Sequence, residues 1–526
     1  MNDSETVSKS QTASSETAVE VQETTSQKEC CSWHRFDGVR KAQGYAFAGL
    51  GNGSIAISNV FLSTSFIYLA SKEVGCIDEN GRLTPCDIRV HGFYPTTLVT
   101  NVAVFAGLLC AFALPVIGAI IDYTSHRRLV GRIVGFLIWL IQTIQIFTLE
   151  NTWFPMIILQ AIVVALFEIH YCLMVSYLPD IARYEVSHDT MTRFNRIFFC
   201  LQYCGQVTSL LAVLVVSFVL KFNSIESAHL GQSISSIILL ICYTTAWRRL
   251  PKVQGPHKLP EGKSLLLQGF RHNFKTVQLL LKSPNRTLKW FFLTVMISEA
   301  GGTSLLPVVV SFYSRVLRYN SIDVGLTFFV AVLMAIPGAI VNAYFCRRHN
   351  PKISLRVNFV FTFSITMVAP FVLTAENPPW LGYVWGVLWG FSLGWMYSGE
   401  QLFYTLCMPE SQETEFAGFF VYCTVILTWL PSLIYSTIVE KGYKEQYGLG
   451  SLCALQLIAM GTIAMVPNWD EVIEGSKMKL LAPPEPAVEL PTTTTVAAAA
   501  EGISSENTQD LGGERSDSSD VEIKSA

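Results

Sequence analysis

Long apolar segments recur along this 526-residue sequence and restrict the folds that are open to it. A bilayer core about 30 Å thick needs about 20 apolar residues in a helix, and roughly twelve segments meet or nearly meet that length. They lie near residues 45–70, 97–121, 130–149, 153–178, 196–220, 230–247, 288–313, 322–345, 354–374, 380–406, 416–439 and 447–466. The pattern predicts an all-α integral membrane protein with about twelve transmembrane helices.

The composition excludes most other classes of protein. Hydrophobic residues make up 51% of the chain and charged residues only 15%, whereas a soluble domain carries about 25% charged residues. A soluble multidomain enzyme, a disordered protein and a disulfide-rich secreted module are therefore excluded. The net charge of −3 provides no basic field for nucleic acid. Because no nucleophile–base motif, phosphate-binding loop or metal-spaced Cys/His cluster is visible, we expect no enzymatic activity, no cofactor and no bound metal.

The spacing of the apolar segments divides the chain into two parts. Six spans, over residues 45–247, precede a basic stretch at 248–287, and six more follow over 288–466. Two six-helix halves joined by a long cytosolic loop are typical of major facilitator transporters. The polar ends, 1–44 and 467–526, are rich in Ser, Thr and Glu and cannot bury a core, so we expect them to be disordered cytosolic tails.

Lysine and arginine predict the orientation in the membrane. They are concentrated in the loops on one side, including the 248–287 loop, and this bias places that side in the cytosol. An even number of spans then puts both termini in the cytosol and the 71–96 loop in the lumen. In an oxidising lumen, Cys76 and Cys86 can pair, and we expect a disulfide between them.

Three carboxylates are predicted to lie at membrane depth: Glu168, Glu299 and Glu400. A charge at the bilayer centre costs about 2.5–3.5 kcal/mol on insertion scales, so three such residues indicate a use. In a carrier they can bind a solute or hold and release protons; the alternative is a protonated glutamate that only bonds a neighbouring helix. Asn52, in the glycine-rich first span, adds a polar group at the same depth, with helix packing as its alternative role.

A short cytosolic turn after the second span has the features of a conformational gate. Gly118 allows two helices to approach closely, and Asp122, Arg127 and Arg128 can form charge-assisted bonds to the facing half. Bonds that exist in one conformation and break in another bias such a gate. The alternative is an Arg anchor that only sets the topology.

A second cytosolic turn, after the tenth span, carries Glu413 and Glu415. Their carboxylates can meet the gate arginines when the protein faces outward. Alternatively they only cap the following helix, because acids suit the positive end of a helix dipole.

Several motifs, spread over residues 44–466, resemble those of one family. They are Gly44-Tyr-Ala-Phe, Gly118-Ala-Ile-Ile-Asp122, Tyr177-Leu-Pro, Ser298-Glu-Ala-Gly-Gly-Thr303, Met408-Pro-Glu-Ser-Gln-Glu-Thr-Glu-Phe416 and Trp429-Leu-Pro431. The family is the vacuole effluxers, autophagy-related amino-acid permeases of the major facilitator superfamily, and the chain resembles a divergent member. The resemblance adds Thr303 to the substrate pathway. Where the family often has a basic residue late in the tenth helix, this chain has Glu400 or Gln401, and we include Gln401 in the pathway.

The resemblance implies a secondary active transporter in the vacuole membrane. It would export amino acids to the cytosol by alternating access during autophagic nutrient recycling, with protons as a candidate coupling ion. Two alternatives stay open. One is a carrier for another small organic solute at the plasma membrane or another endomembrane, and the other is a non-transporting scaffold or receptor with the same fold.

Overall fold

Helices account for nearly all of the chain that the computed structural model describes. The described residues are 40–78, 83–84, 88–178, 188–253, 255, 259, 262, 264–283, 285–408 and 413–477. Extended pairing within them is limited to two isolated bridges, Ile77 with Leu83 and Val90 with Phe93. The prediction of an all-α protein is confirmed.

Each half of the chain contributes a set of long helices. The N-terminal half comprises α1 (Arg40–Glu73), α2 (Thr97–Tyr123), α3 (Arg127–Ile144), α4 (Trp153–Val175), α5 (His188–Leu220) and α6 (Ser224–Arg249). After α7 (Leu265–Lys282), the C-terminal half comprises α8 (Arg286–Phe312), α9 (Ser321–Arg348), α10 (Pro351–Val372), α11 (Leu381–Cys407), α12 (Glu413–Val425), α13 (Trp429–Glu440) and α14 (Glu445–Met465). A short helix, α15 (Trp469–Ser476), follows.

Eleven of the described helical segments are long and apolar enough to cross a membrane. Helix α11, the predicted tenth span, has 27 residues but is not among them, because Gly, Trp and Tyr lower its hydropathy. It packs against α9 and α10 inside the C-terminal half. The predicted eleventh span is divided between α12 and α13. Pro431 lies in the first turn of α13, and its ring excludes a regular helix through the carbonyl of Leu427.

Two helices lie in regions that were expected to be loop or tail. Helix α7 occupies part of the 248–287 stretch and packs on α2, where a β-carbon at Gly269 would lie 2.0 Å from the carbonyl oxygen of Pro115. Helix α15 occupies the start of the predicted C-terminal tail. It is held by Val472, which is fully buried, and by Asn285, whose Nδ2 donates to the Gly475 carbonyl at 3.0 Å.

Small residues allow α9 and α11 to pack backbone against backbone. A β-carbon at Gly390 would lie 2.2 Å from the carbonyl oxygen of Ala331, and one at Gly394 would lie 2.0 Å from that of Ala335. Helices in membranes associate closely through such small residues. This contact sets the position of α11 in the bundle.

The two halves are joined by hydrogen bonds at the end that carries residues 88–96, which we call the luminal end after the expected topology. The Glu440 carboxylate accepts a hydrogen bond from the Tyr94 amide at 2.9 Å and another from the Thr97 hydroxyl. Arg89 lies 3.5 Å from the same carboxylate and donates to the Glu440 carbonyl at 2.7 Å. We call Arg89, Tyr94, Thr97 and Glu440 the luminal seam.

Further bonds reinforce this closure. The Ser311 hydroxyl donates to the Thr96 carbonyl at 2.7 Å, and the Ser436 hydroxyl donates to Asn101 Oδ1 at 2.6 Å. Together with the seam, they tie α2 to α8 and α13. The luminal ends of the two halves are therefore closed against each other in this conformation.

Candidate functional site

The three predicted membrane-depth acids come together between the two halves. Glu299 of α8 and Glu400 of α11 lie close enough for their carboxyl groups to interact directly. Glu168 of α4 faces them from the N-terminal half, near enough for its charge to act on Glu299. Glu299 is 7% exposed and Glu400 is 1% exposed. Two separately predicted acids thus form a buried pair, with a third acid opposite.

Glycines next to Glu299 explain how the pair forms. A β-carbon at Gly302 would lie 2.6 Å from the Cε of Met396 on α11, and one at Gly301 would lie 2.9 Å from the Nε2 of Gln456 on α14. Without side chains at these positions, both helices approach α8 closely. The approach of α11 brings Glu400 to Glu299.

The hydrogen bonds of the pair are incomplete. The Ser298 hydroxyl donates to Glu400 Oε1, and the Thr303 hydroxyl lies 3.4 Å from Glu299 Oε2. Glu400 Oε2 is buried, and no hydroxyl or N–H group of the described residues donates to it; the other polar group within hydrogen-bond reach of Glu400 is the Glu299 carboxyl. A buried carboxylate oxygen without a donor is costly, so the site favours a proton or another cation at this oxygen.

Tyrosines that sequence analysis missed complete the walls. Tyr171 of α4 lies near both Glu168 and Glu299, and Tyr203 of α5 lies near Glu299. Tyr397 of α11 contacts Thr303 by a hydrogen bond and lies near the acid pair. We call this set the acidic chamber; its members are Glu168, Tyr171, Tyr203, Glu299, Thr303, Tyr397 and Glu400.

A helical spacing could have revealed two of these tyrosines. Tyr171 follows Glu168 by three residues and Tyr397 precedes Glu400 by three, and residues at this separation share a helix face. Thr303 is solvent-exposed although it lies within α8, which indicates open space beside the acids. Gln401 is half-buried and, as the next residue after Glu400, it points about 100° away from it.

Asn52 lies among N-terminal helices instead of in the acidic chamber. It is fully buried, and its Oδ1 accepts a hydrogen bond from the Tyr243 hydroxyl of α6 at 2.7 Å. The Tyr243 ring stacks on His170, with 4.2 Å between ring centroids. The contacts of Asn52 are those of helix packing, the alternative that its sequence context left open.

The gate arginines bind carbonyl groups of their own half. Arg127 is 4% exposed, and its Nη2 donates to the Ser176 carbonyl at 2.8 Å. The Arg128 guanidinium donates to the Trp247 carbonyl at 3.1 and 3.2 Å and to the Arg248 carbonyl at 2.9 Å. In this conformation these bonds fasten α3 to the cytosolic ends of α4 and α6, and they do not cross to the C-terminal half.

The structure describes fewer contacts for the other predicted gate residues. Among the described residues, no helix approaches Gly118 closely in this conformation, because a β-carbon there would meet none of their heavy atoms within 4 Å. The Asp122 backbone is approached by Gly255, where a β-carbon would lie 2.5 Å from the Asp122 carbonyl oxygen. The side chains of Glu413 and Glu415 lie outside the described residues, so their contact with the arginines stays a prediction.

Two further predictions concern sulfur and metal. Cys76 is disulfide-bonded, but Cys86 lies outside the described residues, so the pairing of these two cysteines stays a prediction. Within the described ranges, no group of three or more His, Cys, Asp or Glu residues is arranged to hold a metal ion.

Solved transporters share this arrangement of helices. The nucleoside transporter NupG is 13% identical, with a TM-score of 0.53 over 81% of this chain and 100% of its own. The human organic anion transporter MFSD10 is 13% identical, with a TM-score of 0.53 over 81% and 99%. The xylose transporter XylE from E. coli, in a partially occluded inward open conformation, is 10% identical, with a TM-score of 0.57 over 82% and 99%. At these identities the likeness establishes the fold alone, that of the major facilitator transporters.

Sequence comparison identifies the family. No curated protein matches this chain. The family model described as "Vacuole effluxer Atg22 like" matches residues 37–470, which is most of the sequence and includes every helix of the chamber and the seam. Family and structural neighbours are transporters, not enzymes. The chain therefore belongs to the Atg22-like vacuole effluxer family and is a multi-pass membrane transporter with the major facilitator fold.

Proposed function

We propose that this protein is a proton-coupled transporter of the vacuole membrane that exports amino acids from the lumen to the cytosol. The family description supports the organelle and the direction of transport, and the resemblance of the sequence motifs to amino-acid permeases supports the class of solute. The observation that carries the proton coupling is the buried pair of Glu299 and Glu400 between the two halves. An acidic lumen supplies protons that flow downhill into the cytosol, so a symporter can export solute without ATP.

The chamber couples protonation to conformation through charge. When Glu168 and Glu299 are both ionised, they repel each other across the boundary between the halves. A proton on the acid pair removes part of that repulsion, which favours closure of the two halves around a bound solute. Release of the proton into the cytosol restores the repulsion and reopens the chamber. Each cycle therefore moves a proton in the same direction as the solute.

The test is transport by reconstituted protein. Liposomes are loaded with an amino-acid panel at acidic internal pH, and efflux is measured with and without the pH gradient. Glu299→Gln mimics the protonated state, so it should lose gradient-driven net efflux yet retain exchange of internal for external solute. Glu376→Gln is the matched control, because Glu376 is an exposed loop residue.

Wild-type efflux by Glu299→Gln under the gradient would transfer the coupling role to Glu400 or Glu168. If Glu400→Gln and Glu168→Gln also showed wild-type efflux under the pH gradient, the coupling proposal would be wrong. A folded wild-type protein that moves no solute of the panel would instead favour another solute or a non-transporting role. Immunodetection on purified vacuoles tests the location separately.

A further inference from the structure

The charge of the acidic chamber bears on which solutes it can hold. We propose that the chamber selects small organic solutes with a net positive charge, in which an ammonium group is not balanced by a carboxylate. This rests on the proposed function and deepens it, since it names the substrate class of the same chamber. It predicts that cationic amino acids and amino-acid amides bind better than neutral amino acids.

The charges within the membrane have one sign. Among the described residues, the charged side chains that lie about two helical turns or more from either end of a span are Glu168, Glu299 and Glu400. All three belong to the chamber. Within the described part of the chain, a solute that reaches membrane depth thus meets acids and no Lys or Arg.

Most of the buried and half-buried bases at the span ends are already engaged. The Lys352 ammonium donates to the Val466 and Pro467 carbonyls at 2.6 and 2.8 Å. Arg315 pairs with Glu445 at 2.6 Å. Arg356 donates to the backbone carbonyls of Ile463 and Ala464. The gate arginines also bind backbone carbonyls. These contacts fix the bases far along the helices from the chamber, so a solute carboxylate finds no counter-ion there.

One atom of the chamber lacks the donor that a cationic solute would bring. Glu400 is 1% exposed, its Oε1 accepts from Ser298, and no hydroxyl or N–H group among the described residues donates to its Oε2. Ser298 thereby fixes the carboxylate, with Oε2 left for a ligand. With the coupling proton on Glu299, the Glu400 carboxylate keeps its charge, so a solute ammonium can donate to Oε2 while that proton is held.

The remaining walls suit the same ligand. Tyr171, Tyr203 and Tyr397 have their hydroxyl groups near the acids, and a hydroxyl oxygen can accept a hydrogen bond from an ammonium group. A neutral amino acid brings an ammonium that fits this site and a carboxylate that does not. Its carboxylate would lose hydration without gaining a positive counter-charge, which opposes binding.

A matched set of ligands tests this inference on the wild-type protein. Leucine, leucine amide and 2-hydroxy-4-methylpentanoate share one side chain but carry net charges of zero, plus one and minus one at neutral pH. Calorimetry on purified full-length protein in detergent should rank the amide at least about tenfold tighter than leucine, with the hydroxy acid weakest. Lysine, tested alongside, should also bind more tightly than leucine.

Variants locate the effect in the chamber. Glu400→Gln should reduce the preference for the amide over leucine by about tenfold, and Ser298→Ala should reduce it by a few-fold because Oε1 loses its donor. Glu376→Gln, on the exposed loop, should leave the preference unchanged. Since the ligand ranking uses the wild-type protein, misfolding of a variant does not affect it.

The outcomes separate this inference from the proposed function. Leucine binding as tightly as its amide, or more tightly, would overturn the cation preference while leaving proton-coupled amino-acid export intact. Binding of none of the ligands by folded protein would overturn both. Tighter amide binding without gradient-driven efflux would support the preference and contradict the coupling.

Discussion

The luminal seam and the acidic chamber both place glutamates at the boundary between the two halves, but the partners of these glutamates differ. Glu440 of the seam has Arg89 as its counter-charge and accepts hydrogen bonds from two further residues. Glu400 of the chamber accepts a hydrogen bond from Ser298 and otherwise faces the carboxyl group of Glu299, not a base. The Glu440 carboxylate, which has a base and hydrogen-bond donors beside it, holds the two halves together. The Glu400 carboxylate has no base beside it and is therefore available to a proton or a cationic solute.

The difference also separates two tasks in the transport cycle. The seam must open when the protein faces the lumen, so its bonds set the balance between conformations. The chamber must change its occupancy in every cycle, so its acids cannot be permanently neutralised by a base of the protein. Variants in one region, compared with variants in the other, distinguish these two tasks.

The largest effect is expected from giving the chamber the counter-charge that the seam already has. In Glu400→Lys, the new ammonium can pair with Glu299 as Arg89 pairs with Glu440. The melting temperature should stay at or above that of wild type, while solute affinity should fall at least about a hundredfold, because the cation site is filled from within. Thr405→Lys, at an exposed position on the same helix, should retain affinity. Normal transport by Glu400→Lys would contradict the cation-binding role of this acid.

A smaller effect is expected from moving the helix that carries Glu400. A β-carbon at Gly394 would meet the rigid backbone of Ala335 at 2.0 Å, so Gly394→Ala should destabilise the protein by about 1–3 kcal/mol and weaken solute binding. Gly461→Ala is the control, because a β-carbon there would meet nothing within 4 Å. Thermal unfolding in detergent measures both variants. Equal melting temperatures would show that α9 and α11 have more freedom to separate than these contacts indicate.

The smallest effect is expected at the seam. Glu440→Gln keeps the hydrogen-bond acceptor but removes the charge that faces Arg89, which is about half exposed (48%). Partly exposed ion pairs contribute up to about 1 kcal/mol, so the balance between conformations should shift toward luminal opening by up to about fivefold. Distances between spin labels on the luminal ends of α2 and α13 measure the shift, and solute affinity should change little.

The control for the seam is an ion pair within one half. Lys72 pairs with Glu150 at the same end of the N-terminal half, so Glu150→Gln removes a comparable charge without crossing the boundary. It should leave the spin-label distances unchanged. Identical distance distributions in Glu440→Gln and wild type would show that the seam does not control opening.

Many features of the fold could be predicted from the sequence because they are local. A run of about 20 apolar residues predicts a membrane helix wherever it occurs, and the boundaries of most helices lie within a few residues of the expected ones. Exceptions have local causes as well. Pro431 divides the eleventh span, and the Gly, Trp and Tyr residues of α11 lower its hydropathy without removing its helix.

The depth of each acid could be read in the same way, but the acid pair could not. Glu299 and Glu400 are separated by about a hundred residues, and their contact depends on how α8 and α11 are rotated and how closely they approach. The approach of α8 and α11 requires Gly302, and the position of α11 against α9 requires Gly394; each glycine is ambiguous when read singly.

By itself, then, the sequence determined the helices, their depth in the membrane and the sign of the charges within it, since each depends on residues that are neighbours in the chain. Only the tertiary structure decided which polar groups meet. In it, Glu299 contacts Glu400, Asn52 accepts a hydrogen bond from Tyr243, and Arg127 donates to a carbonyl of its own half. The physical reason is that a contact between helices depends on rotation and packing, which hydropathy and charge do not specify.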